Sequence, residues 1–213
     1  MGSAQTFYDR YWKDEHIKAN PFDHQPGLWT DENFRFHMHC FKPYVHGRLL
    51  DFGCGEGQFL SKISPLCDSC AGVDVSQRVI ETARTNHSDL QFEVGADILP
   101  FKDSEFDTIT AVDVLEHILD LETVLEEFRR VLRPNGHLLI ATSEFTRIKM
   151  ILISILALHR FFYPTTPHIR YFTRKNLAQL LKSKGFTPVT YQKNRTYLGF
   201  IPQGQFVVAQ VTK

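Results

Sequence analysis

The sequence lacks an excess of charge of either sign. Its 24 Lys and Arg balance 24 Asp and Glu over 213 residues. A domain that holds nucleic acid by its phosphates carries a basic excess, so bulk charge gives no support to that class, although a local patch stays open. Cysteine is scarce: Cys40, Cys54, Cys67 and Cys70 are too few for a disulfide framework in a chain of this length. Cys67 and Cys70 form a CxxC. No second pair or histidine pair follows at zinc-ligand spacing, and the motif leads into an expected strand instead of opening a helix, as redox pairs do. The four are read as reduced structural thiols of a cytoplasmic chain. An apolar leader is missing too, since MGSAQTFYDRYWKDEH is polar, charged and aromatic. The most apolar run, KMILISILALHRFFYP (Lys149 to Pro164), falls short of the roughly 20 residues that a bilayer-spanning helix needs. There are no internal repeats and no low-complexity tracts.

What is present reads as one ordinary globular domain, with 43% hydrophobic and 23% charged residues. Residues 5 to 18 suggest an amphipathic helix carrying Phe7, Tyr8, Tyr11 and Trp12. Thr30-Asp31-Glu32 starts another that runs to Phe41. Strands are then expected at Arg48 to Phe52, Ser69 to Val75, Leu90 to Val94, Phe106 to Val112 and Gly136 to Thr142. Helices are expected at Gly57 to Ser64, Gln77 to Asn86 and Leu121 to Leu132. Strands alternating with helices make βαβ units and a mostly parallel, doubly wound α/β sheet. The end differs: a helix from Arg174 to Lys184, capped by Thr173 and stopped at Gly185, precedes strands at Phe186 to Lys193 and Phe206 to Val211. The short link between those strands, containing Gly199, Pro202 and Gly204, suits an antiparallel hairpin.

The chemistry gathers at strand ends. LLDFGCGEGQFL places Gly53, Gly55 and Gly57 after the first strand, so the spacing is GxGxG and position 58 is Gln, not the GxGxxG of a dinucleotide loop. Lys is absent, which excludes a P-loop. Asp51, two residues before the first glycine, suits a cationic ligand better than a pyrophosphate. Asp74 ends the second strand, where an acid can bond both hydroxyls of a ribose. Asp97 follows the third strand and could accept from an adenine amino group, with Ile98 and Leu99 against the ring. The fourth strand ends in Asp113, Glu116 and His117. A helix cap or turn is the structural alternative for each acid.

LLDFGCGEG, AGVDVS, GADILPF, FDTITAVDVLEHI and VLRPNGHLLIATS, in this order, resemble the class I S-adenosylmethionine-dependent methyltransferases. The resemblance covers roughly Arg48 to Ser143 and extends to the terminal helix and hairpin. It implies a Rossmann-like seven-stranded sheet in the order 3-2-1-4-5-7-6, with strand 7 antiparallel and helices on both faces. It also implies S-adenosyl-L-methionine as cofactor, contacted by Asp51, Gly53, Cys54, Gly55, Asp74, Val75, Asp97, Ile98 and Asp113. Asp51, Gly53 and Gly55 would face its methionine end, Asp74 the ribose, and Asp97 and Ile98 the adenine.

For methyl transfer, His117 and His168 are the candidate catalytic groups. His117 follows strand 4 at the carboxyl edge, and His168, in TPHIRYFT, lies in a segment that would close over that edge. Capping or packing is the alternative for both, and it is the reading for His16, His24, His37, His39, His46, His87, His137 and His159. The stretch from Glu144 to Phe186 is loosely similar to the quinol O-methyltransferases of ubiquinone biosynthesis. Those enzymes use an ExxEH cluster for a divalent metal. Here Asp113 stands in place of the first Glu, with Glu116 and His117 matching, and no metal is assigned.

Residues 1–45 are read as an N-terminal helical cap. Residues 46–213 form the methyltransferase domain, with an apolar helical insertion at about 146–172. The apolar helix has three readings: a lid over an apolar acceptor, an interfacial helix with Arg147, Lys149 and Arg160 toward lipid headgroups, or a core or dimer face. The expected reaction is transfer to a small lipophilic, aromatic or glycolipid-type acceptor, most simply on oxygen. The expected location is the cytoplasm or the inner membrane face, reached through residues 147–163. A non-catalytic cofactor-binding module and a protein or nucleic-acid methyltransferase are the alternatives.

Overall fold

The structure is a computed structural model and describes residues 5, 6, 8, 9, 31–156, 158–162, 168–197 and 201–212. Residues 5, 6, 8 and 9 are helical. Phe7, Tyr11 and Trp12 of the expected first helix lie outside the described residues.

The alternation of strands and helices folds as a seven-stranded sheet. Its strands are β1 Arg48–Phe52, β2 Ser69–Asp74, β3 Gln91–Val94, β4 Phe106–Val112, β5 Leu132–Ser143, β6 Phe186–Tyr197 and β7 Ile201–Val211. They lie in the order β3-β2-β1-β4-β5-β7-β6. β7 runs antiparallel to both its neighbours, and the remaining pairs are parallel. From β1 the chain steps outward to β2 on one side, while β4 pairs on the other. The carboxyl ends of β1 and β4 therefore flank a switch point, the place where such sheets bind ligands.

Helices cover both faces and divide the core in two. α1 (Asp31–Phe41), α2 (Gln58–Ile63) and α3 (Gln77–Asn86) pack on one face; α4 (Leu121–Val131) and α7 (Arg174–Ser183) pack on the other. In α4, Leu121, Val124, Leu125, Phe128 and Val131 recur at helical spacing and all are buried. Asp120 caps its first turn by accepting from the Thr123 N–H. Thr173 and Asn176 form a reciprocal capping box at the start of α7. α1 contributes His37, Cys40 and Phe41 to the core, and the His37 ring sits 4.8 Å from that of Phe206, as expected of a packing histidine.

Two boundaries differ from expectation. β5 begins at Leu132, four residues before Gly136, because its register on β4 slips between Phe106 and Thr108 and carries Pro134 and the left-handed Asn135 past the partner strand. The hairpin link is shorter than expected. Pro202 and Gly204 belong to β7, paired with Thr196 and Asn194, so they sit in the ladder and not in the turn. The insertion forms α5 (Arg147–Leu156) and α6 (Leu158–Phe161). Among the described residues no helix is long and apolar enough to cross a membrane.

Candidate active site

The glycine loop leaves β1 through Gly53, Gly55 and Gly57, all at positive φ. Glycine is required at two of these positions twice over. A Cβ on Gly53 would come within 2.5 Å of Val114, and one on Gly57 within 2.7 Å of Phe92. The loop is tied to β2: the N–H groups of Gly53 and Cys54 donate to the Val73 carbonyl at 2.8 and 3.1 Å. The Gly55 N–H donates to Asp74 at 3.1 Å, and the Ser76 N–H donates to its other oxygen at 2.9 Å. Asp74 thus braces the loop at the end of β2, with Val75 half-buried beside it.

The acids of this edge are costly to ionise. Asp51 is 3% exposed, accepts from the Thr110 hydroxyl at 2.7 Å, and is pushed up to about 7 by burial. Burial also raises Asp74 against its backbone donors. Glu116 is buried, accepts from the Thr142 hydroxyl at 2.9 Å, and is raised by burial and then by Asp113. Asp113 holds a left-handed backbone, φ 50°, with its N–H on the Ala141 carbonyl, and turns the chain out of β4. A cluster of carboxylates raised in this way favours a cationic neighbour.

Other expectations sort cleanly. Cys54 is buried with its thiol raised well above the ordinary range by burial, so in the loop it packs against Gly72 and does no acid–base work. Asp97 and Ile98 are exposed in the loop after β3. Leu99, expected beside Ile98 against a ring, instead turns into the core, with its N–H on Glu127. Arg130 locks this loop by donating to the carbonyls of Leu99 and Phe101 and to Glu127 and Asp103.

His117 and His168 meet. Their rings stack at 4.7 Å with an interplanar angle of 19°. His117 ends the 3-10 turn Leu115–His117 after β4, and the segment carrying His168 is held there by the Ile169 and Arg170 N–H groups on the Glu116 carbonyl. Arg170 also donates to the carbonyls of Ile118 and Leu119. Ligand atoms of Glu116, His117 and His168 lie within 4.8 Å of one another, so one carboxylate and two imidazoles could be drawn onto a divalent cation. That donor set differs from the Asp113, Glu116 and His117 set matched in sequence. Asp113 lies outside the 3-10 turn, at φ 50°.

The N-terminal segment was expected over this edge, whereas Glu144 and Tyr191 were not singled out in the sequence. Tyr8 donates to the His117 carbonyl at 3.3 Å, and Asp9 accepts from the Ser76 hydroxyl, so the N-terminal segment touches both sides of the cleft. At the end of β5, Glu144 pairs with Phe172, and burial, followed by the Glu144 carboxylate, raises the Tyr191 phenol. Lys149, which only the interfacial reading turned toward headgroups, points inward: it donates to the Glu144 carbonyl at 2.9 Å, lies over the Phe145 ring, and is pushed down to about 8 by burial. The side chain of Arg160 lies outside the described residues. Ile148, Ile151, Leu152, Ile155 and Leu156 of α5 are exposed, while Ile153 is buried. A groove of about 360 Å³ lies just past His168, lined by Leu121, Ile169 to Phe172, Asn176 and Leu180.

A methyltransferase-domain family model matches residues 5–191. The chain belongs to the class I S-adenosylmethionine-dependent methyltransferases. It is 30% identical over 145 residues to the human mitochondrial ubiquinone biosynthesis O-methyltransferase, covering 64% of this chain and 35% of that protein. It is 34% identical over 102 residues to the O-methyltransferase cnsE of Penicillium expansum, covering 44% and 37%. The chain thus spans little more than a third of the length of either relative. Among solved structures, the [4+2]-cyclase SpnF superposes with a TM-score of 0.73 at 18% identity, over 98% of this chain and 95% of that one. Such likeness shows the fold alone. The cofactor of this methyltransferase family is S-adenosylmethionine, and the glycine cradle and the raised acids fit its positive charge.

Proposed function

We propose that this chain is an enzyme that transfers a methyl group from S-adenosylmethionine to an oxygen of a small lipophilic or aromatic acceptor. The stacking of His117 on His168 at the carboxyl edge of β4 carries this reading. When bound, the cofactor supplies a methyl on sulfonium, an excellent leaving group. The protein's tasks are therefore to align the acceptor, exclude water and take its proton. Asp74 would hold the ribose and Asp51 would face the methionine end. The imidazoles of His117 and His168 receive the proton of the acceptor hydroxyl. Glu116, whose carboxyl lies within 4.8 Å of both imidazoles, is near enough to support the resulting positive charge. Tyr8 and Asp9, from the N-terminal cap, help close the cleft. The exposed apolar face of α5 favours an apolar acceptor or a lipid surface beside the site.

One observation favours a variant of this reading. The donors Glu116, His117 and His168 are close enough to hold a divalent cation, which would lower the proton affinity of the acceptor hydroxyl in place of an imidazole base. The experiment for the main reading uses cofactor labelled in the methyl group, the protein and a cell extract. Label in the organic phase as an ether supports it. Label confined to protein, nucleic acid or polar metabolites refutes the lipophilic acceptor, and no transfer with cofactor bound refutes the enzyme. The non-catalytic cofactor-binding module is the reading that would then lead.

A further inference from the structure

Cys67 and Cys70 lie at the sheet end opposite the glycine loop. Cys67 closes the 3-10 turn Ser64–Leu66, and Cys70 is the second residue of β2. Their sulfurs are 2.6 Å apart, inside van der Waals contact and about 0.5 Å beyond a disulfide bond. Both side chains are partly exposed, whereas Cys40 and Cys54 are buried. The intervening residues are fixed from both sides: the Asp68 N–H donates to the Gly47 carbonyl at 2.8 Å, and Ser69 pairs with Arg48. The two sulfurs are therefore held together by the β1–β2 pairing and need no backbone rearrangement to meet.

We propose that Cys67 and Cys70 form a redox modification site, a dithiol that a small-molecule disulfide of the glutathione type converts reversibly to an internal disulfide. The contact divides the labour between the sulfurs. The Cys70 S–H favours the Cys67 thiolate and lowers the Cys67 thiol, while the same contact, followed by burial, raises Cys70. Cys67 is then the attacking sulfur. Its thiolate displaces one glutathione thiolate from glutathione disulfide and forms a mixed disulfide. Cys70 gives up its proton and attacks the Cys67 sulfur, and the second glutathione leaves as a thiol. Two cysteine thiols are oxidised, one glutathione disulfide is reduced to two glutathione thiols, and the protons balance. The site lies outside the methyl-transfer machinery and closes only the short turn into β2.

The native chain is equilibrated in buffers of stepped glutathione disulfide to glutathione ratio, quenched with acid, unfolded, alkylated with N-ethylmaleimide and weighed. The expected result is a loss of two of the four alkylation adducts, mapped to the peptide holding Cys67 and Cys70 and reversed by dithiothreitol. Cys70→Ser should stop at a glutathione adduct on Cys67, and Cys67→Ser should form neither species. Affinity for S-adenosylhomocysteine confirms that both variants are folded. Four adducts at every ratio would overturn the proposal. So would a mixed disulfide that never resolves in the unmodified chain, or a bond joining two chains on a non-reducing gel.

Discussion

Asp51 is 3% exposed at the end of β1, and its proton affinity is raised from 3.8 to about 7. Burial is the main cause; Asp74 adds to it, and the Thr110 hydroxyl opposes it. Below pH 3.8 the carboxyl is neutral in folded and unfolded chains and costs nothing. Between 3.8 and about 7 the unfolded chain ionises while the folded chain keeps its proton, so stability falls as pH rises, then levels off. At about 1.4 kcal/mol per tenfold change in proton affinity, the total is about 4 kcal/mol, an upper figure if the site relaxes. Asp51→Asn keeps an oxygen for the Thr110 donor and removes the ionisation. Urea unfolding of the ligand-free protein at pH 5 and pH 8 should then show a variant that gains stability over the wild type with pH, by up to about 4 kcal/mol at pH 8. Calorimetric titration should show the opposite for the cationic cofactor, with affinity for S-adenosylmethionine falling by about 1.5–3 kcal/mol, the range for a lost charged hydrogen bond. A stability difference between variant and wild type that does not change with pH, or unchanged cofactor affinity, would refute the reasoning.

Three more predictions follow from the same geometry. Replacing Ile151, Leu152 and Ile155 by Ser should leave unfolding nearly unchanged, because all three are exposed. It should weaken apolar acceptor kinetics or vesicle binding at least about tenfold, since each side chain can contribute about 1.5 kcal/mol or more when covered; unchanged kinetics and vesicle binding would remove both the lid and the interfacial readings. Deleting residues 1–18 removes the Tyr8 and Asp9 contacts and should raise the cofactor dissociation constant about fivefold, one hydrogen bond's worth; native affinity would rule out the cap. Dialysis against a chelator should leave transfer unchanged if imidazole is the base, while loss restored by a divalent cation would assign Glu116, His117 and His168 to a metal.

Strand ends were readable because local pattern and chemistry coincide there. Asp51, Gly53 and Asp74 each follow an apolar run, and Asp74 holds Gly55 by a hydrogen bond that the resemblance did not need. The sheet order came with the family resemblance. Boundaries failed where a ladder tolerates residues that signal turns: Pro202 and Gly204 in β7, and Pro134 past the slip in β5. The contact of His117 with His168 spans the whole of α4, β5 and the insertion, so no local pattern announces it. Glu116 matched an ExxEH cluster in sequence, but its place in a 3-10 turn bonded to Thr142 on the next strand needs the fold. Lys149 looked like a surface anchor on a mostly apolar helix. Its inward turn depends on the Glu144 carbonyl and the Phe145 ring at the end of β5, which only the fold brings beneath it.

The most direct test compares methyl transfer and cofactor dissociation constants for the wild type, Asp74→Asn, His117→Ala and His168→Ala. The account predicts that Asp74→Asn loses transfer at low cofactor through weaker binding. It predicts that each histidine variant binds cofactor normally and loses about 10²–10⁴-fold in turnover, the usual worth of a positioned base. Histidine variants with native turnover, or an Asp74→Asn protein with native cofactor affinity, would contradict the site as described.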